Sequence, residues 1–194
     1  MKKDLNYLGT FVINSCKHVT NHEVVNNELV VTTKTSDIYL LLDELKKTDD
    51  LNFEMLLDIT AVDYPKRSLR FELVYILLSL KNHLRVRVKT FLNENDVVPS
   101  VSNIYKSACW YEREVWDMYG ISFSGNNDLR RILTDYGFKG HPLRKDFPLT
   151  GFVELRYDEA KKKVEYSKVK LTQDYRNFDF LSPWEGGTLP GDEK

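Results

Sequence analysis

Apolar and polar positions alternate or recur in distinct periods along this chain, and each period predicts an element. Over residues 23–33, Val24-Val25 and Leu29-Val30-Val31 flank Asn26-Asn27, a pair that tolerates the positive φ of a tight turn, so the segment predicts a hairpin. Ser36 stands where an N-cap would, and Ile38, Leu41, Leu42 and Leu45 then recur at helical spacing up to Lys46-Lys47, which suit a helix C-terminus. Residues 53–64 predict a strand closed by Tyr64-Pro65. Residues 71–80 are apolar nearly throughout and predict a strand buried on both faces. After a turn at Asn82-His83, Leu84, Val86 and Val88 alternate with Arg85, Arg87 and Lys89, a half-exposed strand with one basic face. Strands with antiparallel neighbours around a helix predict an α+β layer fold, a mixed or antiparallel sheet with helices packed on it.

The second half is less periodic. Pro99-Ser100 opens a stretch read as helical to Tyr119, with Gly120 as its stop. Residues 129–133 suggest a short strand, followed by turn-rich chain to Pro148. Val153, Leu155 and Tyr157 alternate, Lys161-Lys162-Lys163 fills a turn, and Val164 and Tyr166 alternate again, which predicts a second hairpin. From Leu171 the aromatic residues Tyr175, Phe178, Phe180 and Trp184 follow no core-building period, and Pro183, Gly186, Gly187, Pro190 and Gly191 interrupt the remainder. Large rings on an aperiodic segment read as anchors on another protein's surface. The expected organisation is therefore a domain over residues 1–150 and, over 151–194, a hairpin with an extended partner-binding tail.

Composition narrows the classes of function. The 194 residues carry a formal charge of −1, are 42% hydrophobic and 29% charged, and so read as globular. Near-neutral balance argues against a chain devoted to phosphate backbones. The longest unbroken apolar run, residues 73–78, is far short of the ~20 residues that span a bilayer. Two cysteines, Cys16 and Cys109, are too few for a standard iron–sulfur cluster, which takes about four thiolates, and no disulfide framework is expected. The N-terminal residues show neither a secretory nor a transit pattern.

Three concentrations of reactive side chains are candidates for chemistry. In Glu112-Arg113-Glu114-Val115-Trp116-Asp117, a helix puts Glu114 and Asp117 three apart and lets Arg113 reach Asp117 at i,i+4. Carboxylate pairs can do acid–base work, but no nucleophile, partner base or phosphate cradle is near in sequence, so a salt-bridged structural or interface helix is the reading preferred. Arg130, Arg131, Lys139, Arg144 and Lys145 face only Asp135 and Asp146 between residues 130 and 147. No nucleic-acid motif accompanies them, and arginine-rich loops often bind a partner's carboxylates. His141 before Pro142 is a proton-shuttle candidate, although lone histidines are seldom catalytic. Cys16, His18 and His22 have a loosely metal-like spacing without a fourth ligand.

These same residues carry a resemblance. The run from Glu112 to Ile121 resembles the ERE-x-x-D signature of the thirty-kilodalton subunit of respiratory complex I, which is the C subunit in bacterial NADH:quinone oxidoreductase. Leu129-Arg130-Arg131-Ile132-Leu133-Thr134-Asp135-Tyr136-Gly137-Phe138 and Gly140-His141-Pro142-Leu143-Arg144-Lys145-Asp146-Phe147-Pro148-Leu149 continue it. Upstream, Leu57-Asp58-Ile59-Thr60-Ala61-Val62-Asp63-Tyr64-Pro65 is similar to the family's strand, and Tyr175 to Phe180 with Ser182 to Glu185 to its tail. The similarity spans about residues 36 to 186. It departs at Asn126-Asn127, where the family often has His-Pro.

The resemblance implies a non-redox structural subunit in the peripheral arm of a proton-pumping enzyme, beside the forty-nine-kilodalton subunit near the quinone site. FMN and iron–sulfur clusters would be held by other subunits, with NADH and ubiquinone as the complex's substrates. The chain would meet the membrane only through the complex, on the matrix side of the mitochondrial inner membrane or the cytoplasmic side of a bacterial one. Glu112, Arg113, Glu114, Asp117, Arg130, Arg131, His141, Arg144, Tyr175, Phe178, Phe180 and Trp184 are the interface candidates; no catalytic, cofactor or metal residues are assigned. The alternatives are the homologous subunit of a membrane-bound hydrogenase, an independent nucleic-acid-binding module built on the basic patch, or an independent enzyme using Glu114 and Asp117.

Overall fold

The computed structural model describes residues 5–173, so the aromatic tail positions Tyr175, Phe178, Phe180 and Trp184 lie outside the described residues. The chain divides into two compact units, one through Leu149 and one from Thr150.

The first unit is built on a five-stranded mixed sheet in the order β1-β2-β5-β4-β3. β1 (Asn21–Val25) and β2 (Glu28–Thr32) form the predicted hairpin, with Asn26 and Asn27 at φ 50° and 62°, the left-handed pair that a two-residue turn requires. β3 (Met55–Asp63), β4 (Phe71–Ser79) and β5 (Leu84–Leu92) run antiparallel to their neighbours, and β2 closes on β5 in parallel. β4, an interior strand between β5 and β3, is buried almost throughout, as its unbroken apolar run predicts. α2 (Ile38–Lys47) presents Ile38, Leu41, Leu42 and Leu45 to the core. Burying each such side chain contributes roughly 1.5–3 kcal/mol. Ser36 is not its N-cap: it sits in a short 3-10 turn, Thr35–Asp37, and its hydroxyl bonds the Asp37 carboxylate at 2.9 Å.

Three segments differ from the sequence reading. Leu5–Ser15 is a helix, α1, placing Leu8 and Val12 in the core, although Asn6, Gly9, Thr10 and Asn14 give it poor intrinsic propensity. Its packing demands the glycine, because a Cβ on Gly9 would lie 2.2 Å from the His22 ring. The stretch from residue 99 is helical only from Ala108: Pro99 ends the short strand β6 (Val97–Pro99), which pairs in parallel with β7 (Ser122–Ser124), and α3 is Ala108–Tyr119. Between them Tyr105 turns into the core and donates its hydroxyl to the Phe53 carbonyl at 2.6 Å, which holds the backbone in turns. Residues 129–133 are not a strand, because side chains of α3 take their backbone groups.

The second unit is the predicted hairpin, β8 (Val153–Asp158) paired antiparallel with β9 (Lys163–Lys168). No helix among the described residues is long and apolar enough to cross a membrane.

Candidate functional site

α3 packs along β3 with Val115 and Ala108 in the core. Gly120, at φ 79°, ends it in the left-handed conformation that a helix stop favours. The charged residues of α3 do not pair along the helix. The buried ones, Glu112, Arg113 and Asp117, reach outward to residues 100–101 and 126–134, and this accounts for the backbone of 129–133.

Asp117 is fully buried and is the focus of this arrangement. One carboxylate oxygen accepts backbone N–H bonds from Ile132 (3.0 Å), Leu133 (2.8 Å) and Thr134 (3.0 Å). The other accepts from the Arg131 guanidinium (2.7 Å) and the Thr134 hydroxyl (2.6 Å). Burial works to raise its pKa, but the Thr134 hydroxyl and the three amides outweigh that and hold the carboxyl well below the usual aspartate range. Arg113 takes the carbonyls of the same segment, donating to Arg130 and Arg131 O at 3.1 Å each. The expected Arg113–Asp117 pair is therefore replaced: Asp117 binds Arg131, and Arg113 lies 3.8 Å from Asp128. With its donors and acceptors bound to α3 side chains, the 129–133 backbone is not in a ladder.

A second loop caps the end of α3. His141 Nδ1 lies 3.0 Å from the Asp117 carbonyl, which requires the ring proton on Nδ1; Leu143 N donates to Met118 O at 3.0 Å, and Arg144 Nε to Tyr119 O at 2.6 Å. Consecutive carbonyls that the helix itself leaves open thus find partners, with a cation beside the negative end of the dipole. Burial, with Arg144 and Arg131 nearby, pushes the His141 pKa down and keeps the ring neutral. The loop is also tied to β3. Arg70 grips Asp63 through two bonds of 2.8 and 2.9 Å and pairs with Asp146 at 2.9 Å, while Lys145 N donates to Asp63 at 2.8 Å. Arg70 is the main cause of the depressed Asp63 pKa.

Glu112, also fully buried, has no such cation. It accepts from Ser100 Oγ (2.7 Å), Val101 N (2.8 Å) and Asn126 Nδ2 (2.8 Å), yet burial dominates and its pKa is raised.

The interface candidates thus separate into two groups. Glu112, Arg113 and Asp117 are buried and Arg131, His141 and Arg144 are partly so; all work by holding loops. Glu114 and Arg130 are exposed on the surface. Trp110 on α3 and Leu133 and Leu143 on the braced loops are exposed as well, and Tyr136 is 91% exposed. Asn126, Ser100, Thr134, Arg70 and Glu94 belong to the framework; Thr134 lies within the family run, Asn126 departs from the family pattern, and Ser100, Arg70 and Glu94 carry no sequence signal of their own. Cys16 is buried, its thiol pushed up to about 11 by burial and Glu44, and His18 lies 3.7 Å from Glu44. Among the described residues no group of three or more His, Cys, Asp or Glu could hold a metal ion.

Fold and site together define a class: an α+β module whose charged helix is braced against its neighbouring loops. The family described as the respiratory-chain NADH dehydrogenase 30 Kd subunit matches residues 31–153, and the chain belongs to it. It is 54% identical to the C subunit of NADH-quinone oxidoreductase from Paramagnetospirillum magneticum, over all of this chain and 99% of the relative. With the corresponding subunit from Rhizobium rhizogenes it shares 52%, over all of this chain and 98% of the relative. A chain in the structure of the membrane-bound sulfane sulfur reductase, an archaeal respiratory membrane complex, superposes with a TM-score of 0.64 and 29% identity, covering 81% of this chain and 97% of that one.

Proposed function

We propose that this chain is a non-redox structural subunit in the peripheral arm of a proton-pumping NADH:ubiquinone oxidoreductase. It braces the neighbouring forty-nine-kilodalton subunit near the quinone site. NADH, FMN, the iron–sulfur clusters and ubiquinone are handled by other subunits of the complex, and the chain reaches the membrane only through them, on the matrix or bacterial cytoplasmic side. The observation that carries this reading is the destination of the signature charges. Asp117 and Arg113 on α3 are engaged with the backbone of 130–134, and Arg131 and Arg144, on the loops, bind the Asp117 carboxylate and the Tyr119 carbonyl of α3. A catalytic carboxylate needs access to a substrate proton; Asp117 is enclosed by five donors, whereas a scaffold needs such closure. Two cysteines do not fit a cluster's donor set.

The same geometry weighs against a nucleic-acid module, since Arg131 and Arg144 bind Asp117 and Glu94 and Arg130 binds Asp128 at 2.8 Å. The hydrogenase alternative is weaker because identity to quinone oxidoreductase relatives exceeds 50% over nearly their full length, against 29% for the sulfane sulfur reductase chain. In this reading Glu114, Arg130, Leu133 and Tyr136 face the partner, and Tyr175, Phe178, Phe180 and Trp184 form a strap across it. Native purification through an affinity tag on this chain tests the proposal. NADH–quinone oxidoreductase activity and that enzyme's other subunits should co-purify; a chain that elutes without them contradicts it.

A further inference from the structure

The carboxylate of Asp117 fills a cradle whose walls other contacts hold in place. Arg113 pins the Arg130 and Arg131 carbonyls at 3.1 Å each. A trans peptide directs its N–H opposite to its C=O, so the hold on Arg131 O aims the Ile132 amide away from Arg113 and toward Asp117. The amides of Ile132, Leu133 and Thr134 meet one carboxylate oxygen at 3.0, 2.8 and 3.0 Å, and successive N–H groups converging in this way make an anion nest. Arg131 is fixed apart from Asp117 as well. Its Nη2 donates to the Gly140 carbonyl at 3.1 Å, and its guanidinium lies 5.5 Å from the ring centroids of Trp116 and Phe138. The Thr134 hydroxyl, 2.6 Å from the other carboxylate oxygen, completes the donors.

We infer that residues 131–134 form a binding site for a small planar carboxylate, with Asp117 as its tethered occupant, and that the site takes a free carboxylate once the tethered one is removed. Charge and shape select that class of ligand. The donors are one guanidinium, one hydroxyl and three amides, so a monoanion is neutralised, whereas a dianion keeps an unmatched charge in a desolvated site. They fall into two sets, one for each oxygen of a planar group. Asp117→Ala takes away one carbon and two oxygens, the heavy atoms of formate. The methyl of acetate would fall where the remaining β-carbon stands. Leu133, in the same loop, is exposed, so an ion reaches the site without crossing the core.

Thermal melts of the full chain carrying Asp117→Ala, in sodium formate, acetate or chloride at equal ionic strength, test this. Formate at about ten times its dissociation constant should raise the melting temperature by about 4 °C over chloride. Amide exchange at Ile132, Leu133 and Thr134 in the variant should slow by about tenfold under the same conditions. Acetate should do no more than chloride. The native chain and Asp117→Asn, in which a side chain already fills the site, should not respond to formate. A variant that folds in formate and in neither other salt supports the inference equally. A formate response matched by acetate or chloride, an equal response in Asp117→Asn, or no response at all, unfolding in every salt included, would overturn it.

Discussion

Glu112 and Asp117 sit five residues apart on one helix, both fully buried, and titrate in opposite directions. Hydrogen bonds hold the Asp117 pKa below its unfolded value, so the stability it contributes is present above the usual aspartate range, about 3.9, and is lost as pH falls through the folded value. Asp117→Asn leaves Arg131 without its counter-charge and should cost about 3 kcal/mol or more at neutral pH. Its melting temperature should converge on that of the native chain only in strong acid. Glu112 has the raised pKa: its contribution is complete below the ordinary glutamate value and lost as pH rises through the folded one. Glu112→Gln keeps an acceptor while removing the ionisation, so it should cost only about 1 kcal/mol near pH 7. The native chain's advantage over Glu112→Gln should widen as pH falls toward about 4.3. Thermal melts of the three proteins from pH 3 to 8 read both signs; parallel profiles for the two variants would contradict the account. Spacing alone favours an Arg113–Asp117 pair, and the loop that takes each of them is invisible to a helical count.

At the scale of elements, the join between α3 and the 141–144 loop depends on Gly120. A Cβ there would lie 2.5 Å from Arg144 Nη2 and 2.7 Å from the His141 ring, in a conformation already unfavourable for other residues. Gly120→Ala should destabilise the chain by about 2 kcal/mol. Amide exchange at Leu143 should rise while that of β4 keeps its order of protection; a uniform rise would mean that the cap is not a separable element. Elements with a clean period were legible in the sequence: both hairpins, α2, β4 and β5 stand where the pattern puts them. α1 was not, because its weak propensity is overridden by burial of Leu8 and Val12 against the sheet. Residues 129–133 read as a strand because Leu129, Ile132 and Leu133 are apolar, whereas Asp117 and Arg113 take their backbone partners. Asn126-Asn127, the departure from the family pattern, is explained locally: the Asn126 amide donates to Glu112 at 2.8 Å, and its carbonyl accepts from Asp128 N at 2.9 Å.

For the whole molecule, family membership was legible because its motifs are long and ungapped, and those motifs are the two loops and the helix that they brace. Which surface meets a partner was not, since the signature carboxylates Glu112 and Asp117 are buried supports, whereas the exposed Trp110, Leu133 and Tyr136 follow no period that marks them. The central claim is that these charges build structure and carry out no chemical step. It is tested most directly by quinone reduction per assembled complex in Asp117→Asn and Glu114→Gln strains, with complex content measured on native gels. The account predicts that complex content falls while turnover per assembled complex stays within about twofold of the native value. Full assembly with quinone reduction lost would contradict it and make one of these carboxylates a participant in the reaction.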